Sequence, residues 1–249
     1  MSDAATLAWR QYRLERKMFW RNPTAAFFNF FLPLLFLALF GAIFSSNQHD
    51  LDVIVPGIAG MSIMATTFSS LAMGVTQLRE SGVLKRIRGT PLPTGSYVIA
   101  MASNAVANAL LQVAIVVVAG RVFFHIGWPK DWLELIVFTV AGVVCLAAIG
   151  VAYAHVIPNF ESAAAYQNIV FLPTIFISGV FYDVDKAPTF LIDIAQALPL
   201  VHIIDGLSGA LVSGRGLGDN LSALAVIGIW GAVAIVLAVR GFSWESRRA

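Results

Sequence analysis

Side chains able to do chemistry are present in this 249-residue sequence, but their spacing keeps them apart. The four histidines, His49, His125, His155 and His202, are scattered, and no His-Glu-x-x-His pair sets two imidazoles one turn apart for a metal. No Gly-x-x-x-x-Gly-Lys-[Ser/Thr] segment is available to cradle phosphate, which excludes ATP hydrolysis by that loop. Ser208-Gly209 lacks the strand-to-helix elbow of a hydrolase nucleophile. Cys145 is the only cysteine, so no internal disulfide forms, and it reads as a packing residue. Catalysis needs acid, base or nucleophile groups that converge, and nothing here points to convergence. The chain is read as no enzyme, holding neither metal nor cofactor of its own.

Two other patterns carry more. Amides and hydroxyls recur at helical spacing inside apolar runs: Asn104, Asn108 and Gln112; Ser62, Thr66, Ser69 and Ser70; Asn168, Thr174 and Ser178 around Phe171. Such groups avoid lipid, and either bond neighbouring helices or line a substrate path. The second pattern is the segment 76–93. Leu78, Val83, Leu84 and Ile87 form an apolar side and Arg79, Lys85, Arg86 and Arg88 a basic one, ended by Gly89 and two prolines. It reads as a short amphipathic helix over about 76–90. Such a helix either transmits a push from a soluble partner or lies on the membrane surface and sets topology.

The elements that position these residues are six apolar stretches, roughly 24–44, 53–75, 97–120, 133–157, 163–182 and 221–239. A hydrocarbon core of about 30 Å needs about 20 helical residues, and only helices or closed barrels satisfy their backbone there. Barrel alternation is absent. A 58% hydrophobic content and a mean hydropathy of +0.79 fit an all-α integral membrane protein with six transmembrane helices. A net charge of +2 is too small for nucleic-acid binding. No Asp, Glu, Lys, Arg or His falls in the middle of a span, so gradient coupling has no obvious residue to run through.

Charge sets the expected orientation. Twelve lysines and arginines fall on one side of the six spans, and only Arg121, Lys130, Lys186 and Arg215 on the other. That places both termini in the cytoplasm. Residues 1–22 are expected to form an interfacial helix, with Arg10, Arg13, Lys17 and Arg21 on one stripe beside Leu7, Leu14 and Met18. It leads into a first span kept as a signal-anchor, and the remaining residues, 23–249, make up the transmembrane domain. Between spans five and six, about 183–206, an apolar stretch broken by Pro188 and Pro199 is expected to form two re-entrant exoplasmic helices, with Pro199 and Asp205 at an outer gate.

At this point the sequence resembles a known family. Arg79-Glu80-Ser81-Gly82-Val83-Leu84-Lys85-Arg86-Ile87-Arg88-Gly89-Thr90-Pro91-Leu92 is similar to the loop of ABC-2 type transporter permeases. Phe176-Ile177-Ser178-Gly179-Val180-Phe181, followed by Ala197-Leu198-Pro199-Leu200 and Asp205-Gly206, is similar to their second signature region. The chain departs at Asp183-Val184, where relatives often carry proline, and at Ser208, where an arginine is common. The resemblance implies a bacterial inner (plasma) membrane protein that pairs with a second permease. It also implies a nucleotide-binding ATPase subunit that holds ATP and Mg.

On that reading the ATPase-coupling residues are Arg79, Glu80, Leu84, Lys85, Arg86, Ile87 and Arg88. The expected path, for a drug- or lipid-like amphipathic cargo resembling that of daunorubicin-type exporters, is marked by Thr66, Phe68, Asn168, Phe171 and Thr174. Two other classes stay open: a gradient-driven carrier, and a membrane scaffold that transports nothing.

Overall fold

The computed structural model describes residues 2–44, 47–83 and 94–241. The described residues are 84% helix and contain no strand. In chain order the helices are α1 (Ser2–Arg21), α2 (Pro23–Ile43), α3 (Gln48–Met64), α4 (Ser70–Glu80), α5 (Thr94–Phe124), α6 (Trp132–Tyr153), α7 (Phe160–Ile177), α8 (Thr189–Ala197), α9 (Pro199–Ser208) and α10 (Leu221–Gly241). Wider π turns join α3 to α4 (Ala65–Ser69) and follow α9 (Gly209–Ser213).

Among the described residues, five helices are long and apolar enough to cross a membrane: α2, the continuous α3–α4 unit, α5, α6 and α10. The α3–α4 unit runs 33 residues from Gln48 to Glu80, and 83% of its apolar window is buried. It is the central pillar. The corresponding windows of α2 and α10 are only 22% buried, so most of their apolar surface faces outward. Phe27, Phe28, Ile229 and Val233 are exposed there, the inverse of a water-soluble fold. The core lies between the pillar, α5, α6 and α9, around Ile58, Phe68, Phe138, Leu146 and Leu200.

The expected fifth span corresponds to α7, whose 18 residues include Glu161, Gln167 and Asn168 and fall outside that apolar group. Its position is informative all the same. Its first residue bonds Glu80, and the turn after its end presses Val180 against Gly57. Those two pillar positions are 23 residues apart, about 35 Å along a helix.

The segment expected as one helix from about 76 divides differently. Residues up to Glu80 continue α4, with Thr76 bonded back to the Ala72 carbonyl at 2.8 Å. The break comes at Gly82, whose φ of +70° suits glycine because a Cβ would crowd the backbone there. Leu84, Lys85, Arg86, Ile87 and Arg88 lie outside the described residues.

Helices α8 and α9 bend by 91° between Ala197 and Pro199. Pro199 opens α9, where its missing N–H costs nothing. Carbonyls at the end of α8 have no partner within their own helix. Here His202 Nε2 donates to the Gln196 carbonyl and Trp230 Nε1 to the Ala197 carbonyl, each at 2.9 Å.

Candidate functional site

The last turn of α4 presents Arg79 and Glu80 to different neighbours. Arg79 is buried, and its guanidinium donates to the carbonyls of Ala154 (3.1 Å) and Ile157 (2.5 Å). Those carbonyls lie at and just beyond the end of α6, where unpaired carbonyls favour a cation. A planar guanidinium serves two acceptors at once. Glu80 is exposed, and its Oε2 accepts the backbone N–H of Phe160 at 2.6 Å. That N–H opens α7, the pole where an anion is favoured. Asn159 completes the cap by accepting the Ser162 N–H at 2.9 Å. Two adjacent residues of opposite charge therefore staple the end of one helix and the start of the next to the pillar.

Above this staple α6 presses closely on the π turn. A Cβ on Gly150 would lie 2.7 Å from the Phe68 carbonyl oxygen. The Phe68 ring packs on Tyr153 with centroids 5.6 Å apart, and Tyr153 donates to the Tyr166 carbonyl of α7 at 2.8 Å.

The polar stripe of α5 bonds three neighbours. Asn108 Oδ1 accepts from Arg16 of α1 at 2.7 Å, and Gln112 donates to the Asn29 carbonyl of α2 at 2.6 Å. Gln112 also accepts the Thr66 hydroxyl. Asn104 Oδ1 and Ser69 Oγ are buried without a hydrogen-bond partner among the described residues. On the pillar, Ser62, Thr67, Ser70 and Thr76 bond carbonyls of their own helix, leaving Thr66 as the hydroxyl of that stretch that reaches another helix.

The five residues expected on a substrate path differ in burial. Thr66 and Phe68 sit in the core, whereas Asn168 is exposed on α7, with Phe171 and Thr174 half-buried beside it. A pattern of period 3.6 names the face of a helix but not which neighbour covers it. On α1, Arg10, Arg13, Lys17 and Arg21 are all exposed, with Leu14 and Met18 beside them. Arg16 instead turns toward α5 and stacks over Trp20, 5.8 Å from the ring centre.

At the opposite end of the bundle, Pro199 is buried and Asp205 exposed. A cleft of about 240 Å³ lies nearby between Phe44, Val53, Phe181 and Tyr182, with Asp50 and Lys186 on its rim. Lys186 pairs with Asp183 at 3.3 Å. No group of three His, Cys, Asp or Glu side chains is placed to hold a metal among the described residues. Sequence reasoning missed three side chains that bond across the fold: half-buried Arg16, exposed Trp230 and buried Glu134. The last is fully buried in the first turn of α6. Each lies within a few residues of a turn or a span border, or is aromatic, so composition alone reads it as an interface residue.

Several apolar helices of membrane length, packed around a pillar that is stapled at one end to two neighbours and meets a bent helical pair at the other, are the architecture of a multi-pass membrane protein. The family model of the ABC-2 type transporters matches residues 4–212, and the chain belongs to that family of membrane permeases. It is 23% identical over 175 residues to Nodulation protein J of Sinorhizobium fredii, covering 69% of this chain and 66% of that protein. It is 22% identical over 202 residues to the putative transport permease YvfS of Bacillus subtilis, covering 79% and 82% of the two chains. The linearmycin resistance permease protein LnrN of Bacillus subtilis matches at 21% over 184 residues, 73% of this chain and 48% of that one. Across the Nodulation protein J relatives the match spans between 56% and 66% of their length.

Proposed function

We propose that this chain is the membrane subunit of an ATP-driven exporter, crossing a bacterial inner membrane six times with both termini in the cytoplasm. A separate nucleotide-binding subunit holds ATP and Mg, and a second permease completes the path. The reading of α7 as a crossing is supported by its contacts with the pillar about 35 Å apart, enough for a hydrocarbon core of about 30 Å. The observation that carries the coupling role is the staple at Arg79 and Glu80. These residues directly precede the basic segment 84–88, and they tie the pillar to both α6 and α7.

A docked ATPase subunit pushes on Leu84, Lys85, Arg86, Ile87 and Arg88. Arg79 and Glu80 pass that displacement to the α6–α7 connection, so that three helices move together rather than one bending alone. The outward face of α7, with Asn168 among Ile169, Leu172 and Phe176 and the half-buried Phe171 and Thr174 at its edge, meets the second permease and flanks the path. An apolar wall carrying an amide and a hydroxyl suits an amphipathic or lipid-like cargo. The name of LnrN, a resistance permease, is in keeping with export of such a compound.

The test is co-expression with a phosphate-loop ATPase subunit, sought first in the adjacent reading frames. Leu84→Asp and Ile87→Asp should abolish co-purification while each variant still inserts in the membrane. Arg79→Ala should keep the complex but lower its ATP-driven transport. Unchanged recovery of the ATPase with both aspartate variants would mean that segment 84–88 is not the docking site.

A further inference from the structure

The fully buried Glu134 is an acidic group in a membrane bundle for which the transport reading has no use. Its Oε1 accepts a hydrogen bond from Asn220 Nδ2 at 2.5 Å. Its Oε2 is buried and has no hydrogen-bond partner among the described residues. Three elements close over it: its own helix α6, the π turn after α9, and the residue that precedes α10. Gly209 opens that π turn, and a Cβ there would lie 2.8 Å from Asn220 Nδ2 and 2.9 Å from Glu134 Oε1. The backbone that continues the bent α8–α9 pair therefore packs directly on the carboxyl.

The charges facing Glu134 are Asp131 on its own element, and Arg215 and Asp219 on the 214–220 connection. Asp131 is occupied in capping the N–H groups of Leu133 and Glu134, at 2.9 and 3.0 Å. Arg215 is exposed and donates its Nε to Ser213 Oγ at 3.1 Å. The π turn and the first turns of α10 carry no ionisable side chain. On α9, Asp205 is exposed and His202 bonds the Gln196 carbonyl.

An ionised carboxylate offers two acceptor oxygens and needs donors or a cation at both when buried. A neutral carboxylic acid needs far less. Its carbonyl oxygen accepts the one amide donor present, and a proton occupies the oxygen that nothing else touches. From this geometry we infer that Glu134 is a proton-binding site, loaded while the α8–α9 pair is packed on it and emptied when that pair lifts and water reaches the carboxyl. The packed form then holds one proton more than the lifted form. Acid favours packing and base favours lifting, by at most about tenfold in the equilibrium per pH unit. Only the naming of this end as the outer gate rests on the orientation proposed above.

The test uses the purified permease in lipid nanodiscs, where both faces meet one buffer and orientation plays no part. Infrared spectra should contain the carbonyl stretch of a neutral carboxylic acid at neutral pH, and Glu134→Gln should remove it. Ala210→Cys, in the π turn, should react with a water-soluble maleimide faster as pH rises. In the Glu134→Gln background that reaction should be slow and should rise with pH only as the thiolate fraction of the cysteine does, whereas with Glu134 present it should rise more steeply. Asn220→Leu leaves the acid in place without its donor, and should move the same band to higher frequency even if Glu134→Gln fails to accumulate. No acid band at neutral pH, a band unmoved by Asn220→Leu, or an equal pH dependence with and without Glu134 would each overturn the proposal.

Discussion

Arg79 and Glu80 act through what helix ends lack. Arg79 supplies donors to carbonyls at the end of α6, and Glu80 supplies an acceptor to an N–H at the start of α7. Arg79→Ala should therefore cost about 1.5–3 kcal/mol, the range for hydrogen bonds to a charged group. The check is thermal unfolding of the purified permease. Arg79→Lys keeps the charge but loses the planar fork, and should fall between the two. Glu80→Gln should cost about 1 kcal/mol or less, since the carboxylate is exposed and screened by water. A larger loss for Glu80→Gln than for Arg79→Ala would reverse this ranking. Both residues stood out in the sequence. Their direction did not, because a basic residue in a predicted amphipathic helix points to solvent by default, whereas Arg79 found two unpaired carbonyls 75 and 78 residues away.

Between elements, close approach and depth decide. Gly150 lets α6 touch the backbone of the π turn, so Gly150→Ala should force α6 from the pillar and lower the yield of folded protein in size-exclusion chromatography. Gly74, with open space around its missing side chain, should accept alanine at little cost in the same assay. The tip of the α8–α9 pair depends on a donor from α10. Trp230→Phe keeps most of the ring but not its N–H, at a cost of about 0.5–1.5 kcal/mol. Amide hydrogen exchange should then rise around 195–200 and stay unchanged in α6. Existence and type of these elements followed from apolar length and from Pro188 and Pro199. The 91° bend and its Trp230 partner did not, since neither is encoded within the segment itself.

For the whole molecule, burial sorts the helices. The pillar is covered on most sides while α2 and α10 are not, an arrangement that a lipid surround and a second permease would complete. The proposed six crossings make a sharp statement about sides. Asp219→Cys should react with an impermeant reagent on intact cells, and Glu161→Cys only after the membrane is opened. Labelling of both from outside would remove α7 from the set of crossings. Burial along the expected path is what the sequence pattern does not specify: Thr66 and Phe68 face the core whereas Asn168, equally polar in pattern, is exposed.

What the sequence determined by itself was the class: apolar runs of membrane length, the lysine and arginine bias, and a basic segment before Thr90-Pro91. These are local properties, set by what bilayer and water each tolerate along the chain. The tertiary structure decided which polar groups are used and by whom. Arg79 bonds α6, Gln112 bonds Thr66 and Asn29, and Glu134 is sealed under Gly209. Partnership of this kind depends on residues tens of positions apart meeting at one depth, which no spacing within a single helix specifies.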